Sequence, residues 1–298
     1  MSVGTLVLSD ARFPAGGHAH SGGVEPAVTA STVTDLASLD LFLRGRLRTA
    51  GMVAAGLAAS ACARARAAAG RDAQGRDAQS HDAQSRDALG HAGQGGTGQG
   101  RTGQGRDAQG CGEHPEPDWT WAELDAEADA RTPSPAQREA SRRQGRALLR
   151  AARAAWPDAE WLGDLAMPGA GAAGVEAMAS AGSPGVDVMA ADYRGGPHHA
   201  VVLGAAAAAA GCAPREAAHV AAYQSVAGPA SAAVRLLALD PMRAAGVVAA
   251  MADAITATAE QAALHAAGPP RDLPFPSAPA LDLLAQAHIT AEVRLFES

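Results

Sequence analysis

Apolar residues recur along this chain at helical spacing and almost nowhere at strand spacing. Behind Thr34, a candidate cap, Leu36, Leu39, Phe42, Leu43 and Leu47 fall three and four apart, the stripe of a helix with one buried face. Gly51 reads as an interruption, after which 52–69 continues as an alanine-rich helix bearing Val53, Leu57 and Cys62. Pro115 and Pro117 precede an acidic stretch over 119–129. Ser134-Pro135 supplies an N-cap and a first-turn proline for the next helix. Its Arg138, Arg142, Arg143 and Arg146 are assigned to solvent, and Leu148 and Leu149 lead to a stop at Trp156-Pro157. The glycine-rich stretch 169–196 holds two expected short helices, 175–181 and 186–191. A helix over 200–210 is closed by Gly211, and Pro214 opens another that runs to Ala227. Gly228-Pro229 predicts a break and restart, with Val234, Leu236 and Leu237 on the apolar face beyond it. Asp240-Pro241 opens a long helix through Val247, Val248, Met251 and Ile255 that Gly268-Pro269-Pro270 ends. The last segment, 277–298, places Leu281, Leu284, His288 and Leu295 at helix-compatible positions. The pattern predicts an all-α protein, a single-domain helical bundle with short breaks.

One tract departs from this pattern. From Arg71 to Gly110 the chain repeats pentapeptides such as RDAQG, HDAQS and RTGQG, with Leu89 as the only large apolar residue. A period of five fits neither helix nor strand, and such a tract cannot bury enough surface to offset its ordering entropy. It is expected to be a disordered low-complexity insertion over 70–117, inside one domain spanning 1–298. His81 and His91 within it are isolated, a poor basis for metal capture.

Composition narrows the function classes. Alanine makes up roughly a quarter of the 298 residues, which favours helices, and aromatic residues only 3%. The 24 basic residues are all arginine, against 31 acidic ones, for a formal charge of -7. That balance argues against sequence-independent nucleic-acid binding. Cys62, Cys111 and Cys212 lie far apart and form no CxxC pair, as expected in a reducing cytoplasm. No signal peptide or membrane span is legible, so a cytoplasmic protein is expected.

Few residues offer chemistry. Without lysine there is no Walker loop, and no GxSxG elbow occurs. The segment 8–25, with Pro14, Gly16, Gly17, Gly22 and Gly23, imposes a special backbone path. Its His18 and His20, with Asp10 and Glu25 nearby, are weak candidates for a metal site of imidazole and carboxylate. The bland alternative, a buried turn packed on helices, has the better spacing argument. His198-His199 is a second pair, but adjacent side chains point apart and seldom share one ion. Cys62 and Cys212, in alanine-rich helices, read as small buried hydrophobes. No convincing catalytic set emerges. Arg235, alone in the apolar run 231–237, either pairs with a carboxylate or reaches an interface. The segment 269–298 carries enough leucine and phenylalanine to dock, on its own body or on a partner.

The segment Leu8-Ser-Asp-Ala-Arg-Phe-Pro-Ala-Gly-Gly-His-Ala-His-Ser-Gly-Gly-Val-Glu25 resembles the N-terminal motif of the urease accessory protein F family. Two further blocks agree in order, 231–237 and the tail with His288, Thr290 and Arg294-Leu-Phe296, and 141–149 is similar to the family's arginine-rich helix. The chain departs from it at Ala238-Leu-Asp-Pro241 and at Ala287-His-Ile289, where relatives often read Pro-Leu-Gly-Gln and Arg-His-Glu. The resemblance implies a homodimeric all-helical scaffold with no catalysis of its own. It would bridge the D-type (H-type) urease accessory protein and the G-type GTPase and promote GTP-dependent nickel insertion into apo-urease. GTP would be bound by the partner, nickel would be present only in transit, and no cofactor would be held tightly. It further implies that Glu25 and Arg235 contact the GTPase, and that His288, Thr290, Arg294, Leu295 and Phe296 contact the D-type partner. Pro14, Gly16, Gly17, His18, His20, Ser21 and Gly23 would shape the N-terminal turn. The alternative is a direct metal-binding protein or metal-dependent hydrolase built on the Gly-His motif.

Overall fold

The structure is a computed structural model that describes residues 2–10, 13, 20–70, 118–165, 196–289 and 295–296. Its helices are α1 (Val3–Ser9), α2 (Val24–Thr29), α3 (Leu36–Arg46), α4 (52–70), α5 (Trp121–Ala130), α6 (Pro135–Ala155) and α7 (Trp161–Asp164). They continue as α8 (His199–Ala209), α9 (Pro214–Leu237), α10 (Pro241–Ala249), α11 (Ala252–Ala263) and α12 (Pro279–Ile289). A wide π-turn, Leu47–Gly51, joins α3 to α4, and a 3-10 turn, Pro270–Asp272, precedes α12. No strand occurs among the described residues, so the all-α class holds. Among them no helix is long and apolar enough to cross a membrane. The repeat insertion, Cys111 and the segment 169–195 lie outside the described residues.

Helix α9 is the centre: α1, α2, α3, α8, α10, α11 and the π-turn all pack on it, and α6 and α7 cover α8 from the far side. Glycine and alanine at the contacts let the backbones approach closely. A Cβ on Gly204 of α8 would stand 2.1 Å from the Ala58 carbonyl oxygen of α4, and one on Gly145 of α6 would stand 2.0 Å from the Pro197 carbonyl oxygen. Fully buried alanines beside these glycines, among them Ala58, Ala61, Ala205 and Ala207, occupy little space at the contacts and also favour helix. Leu39, Leu43, Leu47, Leu124, Leu148, Leu162 and Leu203 fill the spaces between, with Cys62 and Cys212 buried among them. Burial pushes the Cys62 thiol up to about 12, an inert side chain at neutral pH.

Several sequence expectations are corrected. The first cap is Asp35, one residue after Thr34: its carboxylate accepts the Ser38 N–H at 2.8 Å in a reciprocal capping box. Gly51 does not interrupt the helix but ends the π-turn. Gly228-Pro229 does not break α9, which runs unbroken from Pro214 to Leu237. Pro229 leaves the Ser225 carbonyl without its helical donor, and Arg46 Nε donates to that oxygen at 3.0 Å. The helix expected to run from Pro241 to Ala267 is two, α10 and α11, separated by a turn at Ala250 and Met251. Arg142 is buried rather than solvated, for the reason given below.

Candidate functional site

Gly22 and Gly23 have φ of 59° and 87°, left-handed backbone that suits glycine, and they deliver the chain into α2. Glu25 stands in the first turn of that helix, and its buried carboxylate receives the chain's far end. Oε1 accepts the Leu295 N–H at 2.6 Å and Oε2 accepts the Phe296 N–H at 2.9 Å. His288 Nε2 lies 3.4 Å from Glu25 Oε2 and 3.2 Å from the Phe296 carbonyl oxygen, so one imidazole edge addresses both. The Phe296 ring is buried, and the exposed Arg235 sets its guanidinium 4.5 Å from the ring centroid, a cation–π contact. The residues that sequence resemblance divides between two partners are therefore brought into one cluster: Glu25 and Arg235 with His288, Leu295 and Phe296. His20, Ser21 and Gly23 of the turn motif are described, whereas Pro14, Gly16, Gly17, His18, Thr290 and Arg294 lie outside the described residues.

The arm that carries this end is aimed by its own contacts. Gln137 Nε2 donates to the Leu281 carbonyl at 3.0 Å. Burial raises the pKa of Asp282 against the Ser134 N–H that it accepts. Upstream, Arg131 holds the proline-rich strap. Nη2 donates to the carbonyls of Pro270, Arg271 and Leu273 at 3.2, 3.2 and 2.9 Å, and Nε to that of Pro274 at 3.2 Å. Its guanidinium also lies 5.3 Å from the Phe275 ring centroid, and Glu127 pairs with it. Sequence reasoning missed Arg131, because a cation serving carbonyls more than 130 residues away leaves no local pattern.

A second cluster joins α5, α6 and the start of α8. Asp125, Asp129 and His198 bring ligand atoms within 4.8 Å of one another. Arg142, however, donates to Asp125 Oδ2 at 2.8 Å, to Asp129 Oδ2 at 2.6 Å and to the Gly196 carbonyl. His198 completes the set: its N–H donates to Asp125 Oδ1 at 2.8 Å, Nε2 meets Asp129 Oδ1 at 2.8 Å and Nδ1 meets Ser141 Oγ at 2.9 Å. Burial raises the Asp129 pKa, but His198 and Arg142 outweigh it and hold the carboxyl below its usual range. The same carboxylates raise the Arg142 pKa against burial. Both carboxylates already face a guanidinium, so the donor set is charge-compensated and fits a structural joint better than a divalent cation. Half-buried His199 lies beside it, its pKa pushed down to about 4 by burial and by His20.

Comparison with known proteins identifies the family. The UreF family profile matches residues 33–252. The chain is similar to the urease accessory protein UreF of Mycolicibacterium vanbaalenii, 38% identical over 293 residues, covering 98% of this chain and 97% of that one. It is 36% identical to that of Mycobacterium marinum over 294 residues, with the same coverage, and 32% identical to that of Mycobacterium tuberculosis over 285 residues, covering 95% and 92%. The chain belongs to the UreF family of urease accessory proteins.

Proposed function

We propose that this protein is a non-catalytic scaffold that bridges the D-type accessory protein and the G-type GTPase during GTP-dependent nickel insertion into apo-urease. It works in the cytoplasm as a homodimer, with nickel as cargo and GTP on the partner. The observation that carries this reading is the seating of the tail on Glu25 and Arg235. With the tail docked, the Glu25 carboxylate is used internally, and the face offered outward is composite: Arg235, the Phe296 that it covers and the exposed Leu295. A D-type partner that grips the tail therefore changes the face that the GTPase reads. The two binding events are linked, each by its differential affinity for the docked and undocked arms.

The test is to mix the full-length chain, and a chain ending at Pro276, with the D-type protein and then the GTPase, and to size the products. A ternary complex with the full-length chain alone supports the scaffold. Stoichiometric nickel uptake by the isolated chain, lost on His18→Ala with His20→Ala, would instead support a direct metal carrier.

A further inference from the structure

Three close approaches meet at Ser225 and Pro229 of α9. The Ser225 carbonyl, left without a donor by Pro229, accepts Arg46 Nε at 3.0 Å. The Ser225 hydroxyl donates to the Ala222 carbonyl at 2.7 Å and lies 2.6 Å from where a Cβ on Gly51 would stand. Gly22 comes equally near: a Cβ on it would meet Pro229 Cγ at 2.8 Å and the Arg46 guanidinium at 3.2 Å.

The π-turn explains how one helix makes two of these contacts. Arg46 and Gly51 are five residues apart, and an ordinary helix, at about 100° per residue, would turn them roughly 140° away from each other. The wider turn over Leu47–Gly51 removes most of that offset, so both ends of the turn address Ser225. Arg46 is half-buried, and burial lowers its pKa to about 10, which leaves the guanidinium charged and a full donor at neutral pH.

We infer that Arg46 is the positioning residue of the Glu25–Arg235 face. It supplies the donor that Pro229 removes from α9 and lies against the Gly22-Gly23 turn. It thereby fixes Glu25, three residues after Gly22, relative to Arg235, six residues after Pro229. The tail spans both, through two N–H groups on Glu25 and one ring under Arg235, so a shift between them loosens its seat. The consequence for GTPase recruitment rests on the scaffold reading above; the positioning itself is measured without partners.

Hydrogen exchange of the full-length chain, followed by mass spectrometry, reads the seat through the C-terminal peptide that contains Leu295 and Phe296, with the α8 peptide as reference. Arg46→Met is expected to speed exchange in the C-terminal peptide about tenfold while α8 is unchanged, the size expected for losing one charge-assisted hydrogen bond between the two elements. Adding Pro229→Ala returns an N–H to the Ser225 carbonyl but not the Arg46 link to the Gly22 turn, so the C-terminal peptide should stay fast. An unchanged C-terminal peptide, equal acceleration in every peptide, or full restoration by Pro229→Ala, which would reduce the effect to an orphaned carbonyl within α9, would each overturn the assignment. Should Arg46→Met not fold, Arg46→Lys with and without Pro229→Ala reads the same ratio, because lysine keeps a donor and a smaller loss, again not rescued by Pro229→Ala, is expected. Loosened exchange with undiminished GTPase recruitment would keep Arg46 in this role and remove the docking role from the face.

Discussion

Glu25 holds the tail as an acceptor: its two oxygens take the backbone N–H groups of Leu295 and Phe296. Glu25→Gln presents an amide N–H₂ where one of those donors points, losing a charge-assisted bond of about 1.5–3 kcal/mol. The expected outcome is release of 295–296, read as faster exchange there with little change in thermal midpoint, and a weaker ternary complex. Unchanged exchange would show that α12 alone keeps the arm in place. His199 carries the pH dependence at this scale. Its folded pKa of about 4 lies below the ordinary 6.5, so the unfolded chain binds the proton first as pH falls. Stability should therefore decline from pH 6.5 down to about 4, and His199→Gln should flatten that part of the urea-midpoint profile. Asp129, with its pKa below 3.8, adds a separate loss at lower pH, as its carboxylate is protonated and the Arg142 pair is spent.

At the scale of elements, the sequence showed which segments are helical, because apolar spacing and the caps at Ser134-Pro135 and Asp240-Pro241 are local properties. What it hid was supplied from a distance. Pro229 reads as a break because the donor that repairs it, Arg46, is 183 positions earlier. Gly51 reads as an interruption because its reason for being glycine is a hydroxyl on α9. Arg142 reads as solvated because helical periodicity cannot see the two carboxylates of α5. The members of the candidate site were legible by resemblance, whereas their meeting was not, since it depends on a tail folding back across some 270 residues. Gly51→Ala should test the element contact directly: a methyl 2.6 Å from Ser225 Oγ is expected to cost about 1–3 kcal/mol, read in urea unfolding. Ser225→Ala in the same chain should recover part of it, because the obstructing oxygen is then gone.

For the molecule as a whole, the boundary between body and arm decides what a partner can move. Composition suggests a tail from 269 onward, but Arg131 binds four carbonyls between 270 and 274, and Pro270 and Leu273 are buried. Leu273 and Pro274 also close over Gly56 of α4. The strap is thus part of the body, and the displaceable arm begins near Ser277, leading into α12. Two truncations separate these roles. Ending the chain at Pro276 should leave the thermal midpoint near that of the full protein while abolishing the tail-dependent complex. Ending it at Pro269 removes a buried leucine and the four strap carbonyls that Arg131 binds, and should lower stability by about 3 kcal/mol or more in addition to the same binding loss. Arg131→Met in the full-length chain should reproduce the stability loss and, by freeing the strap, weaken the complex without removing a single tail contact. Equal midpoints for the two truncated chains would place the boundary back at 269 and reduce Arg131 to a surface staple.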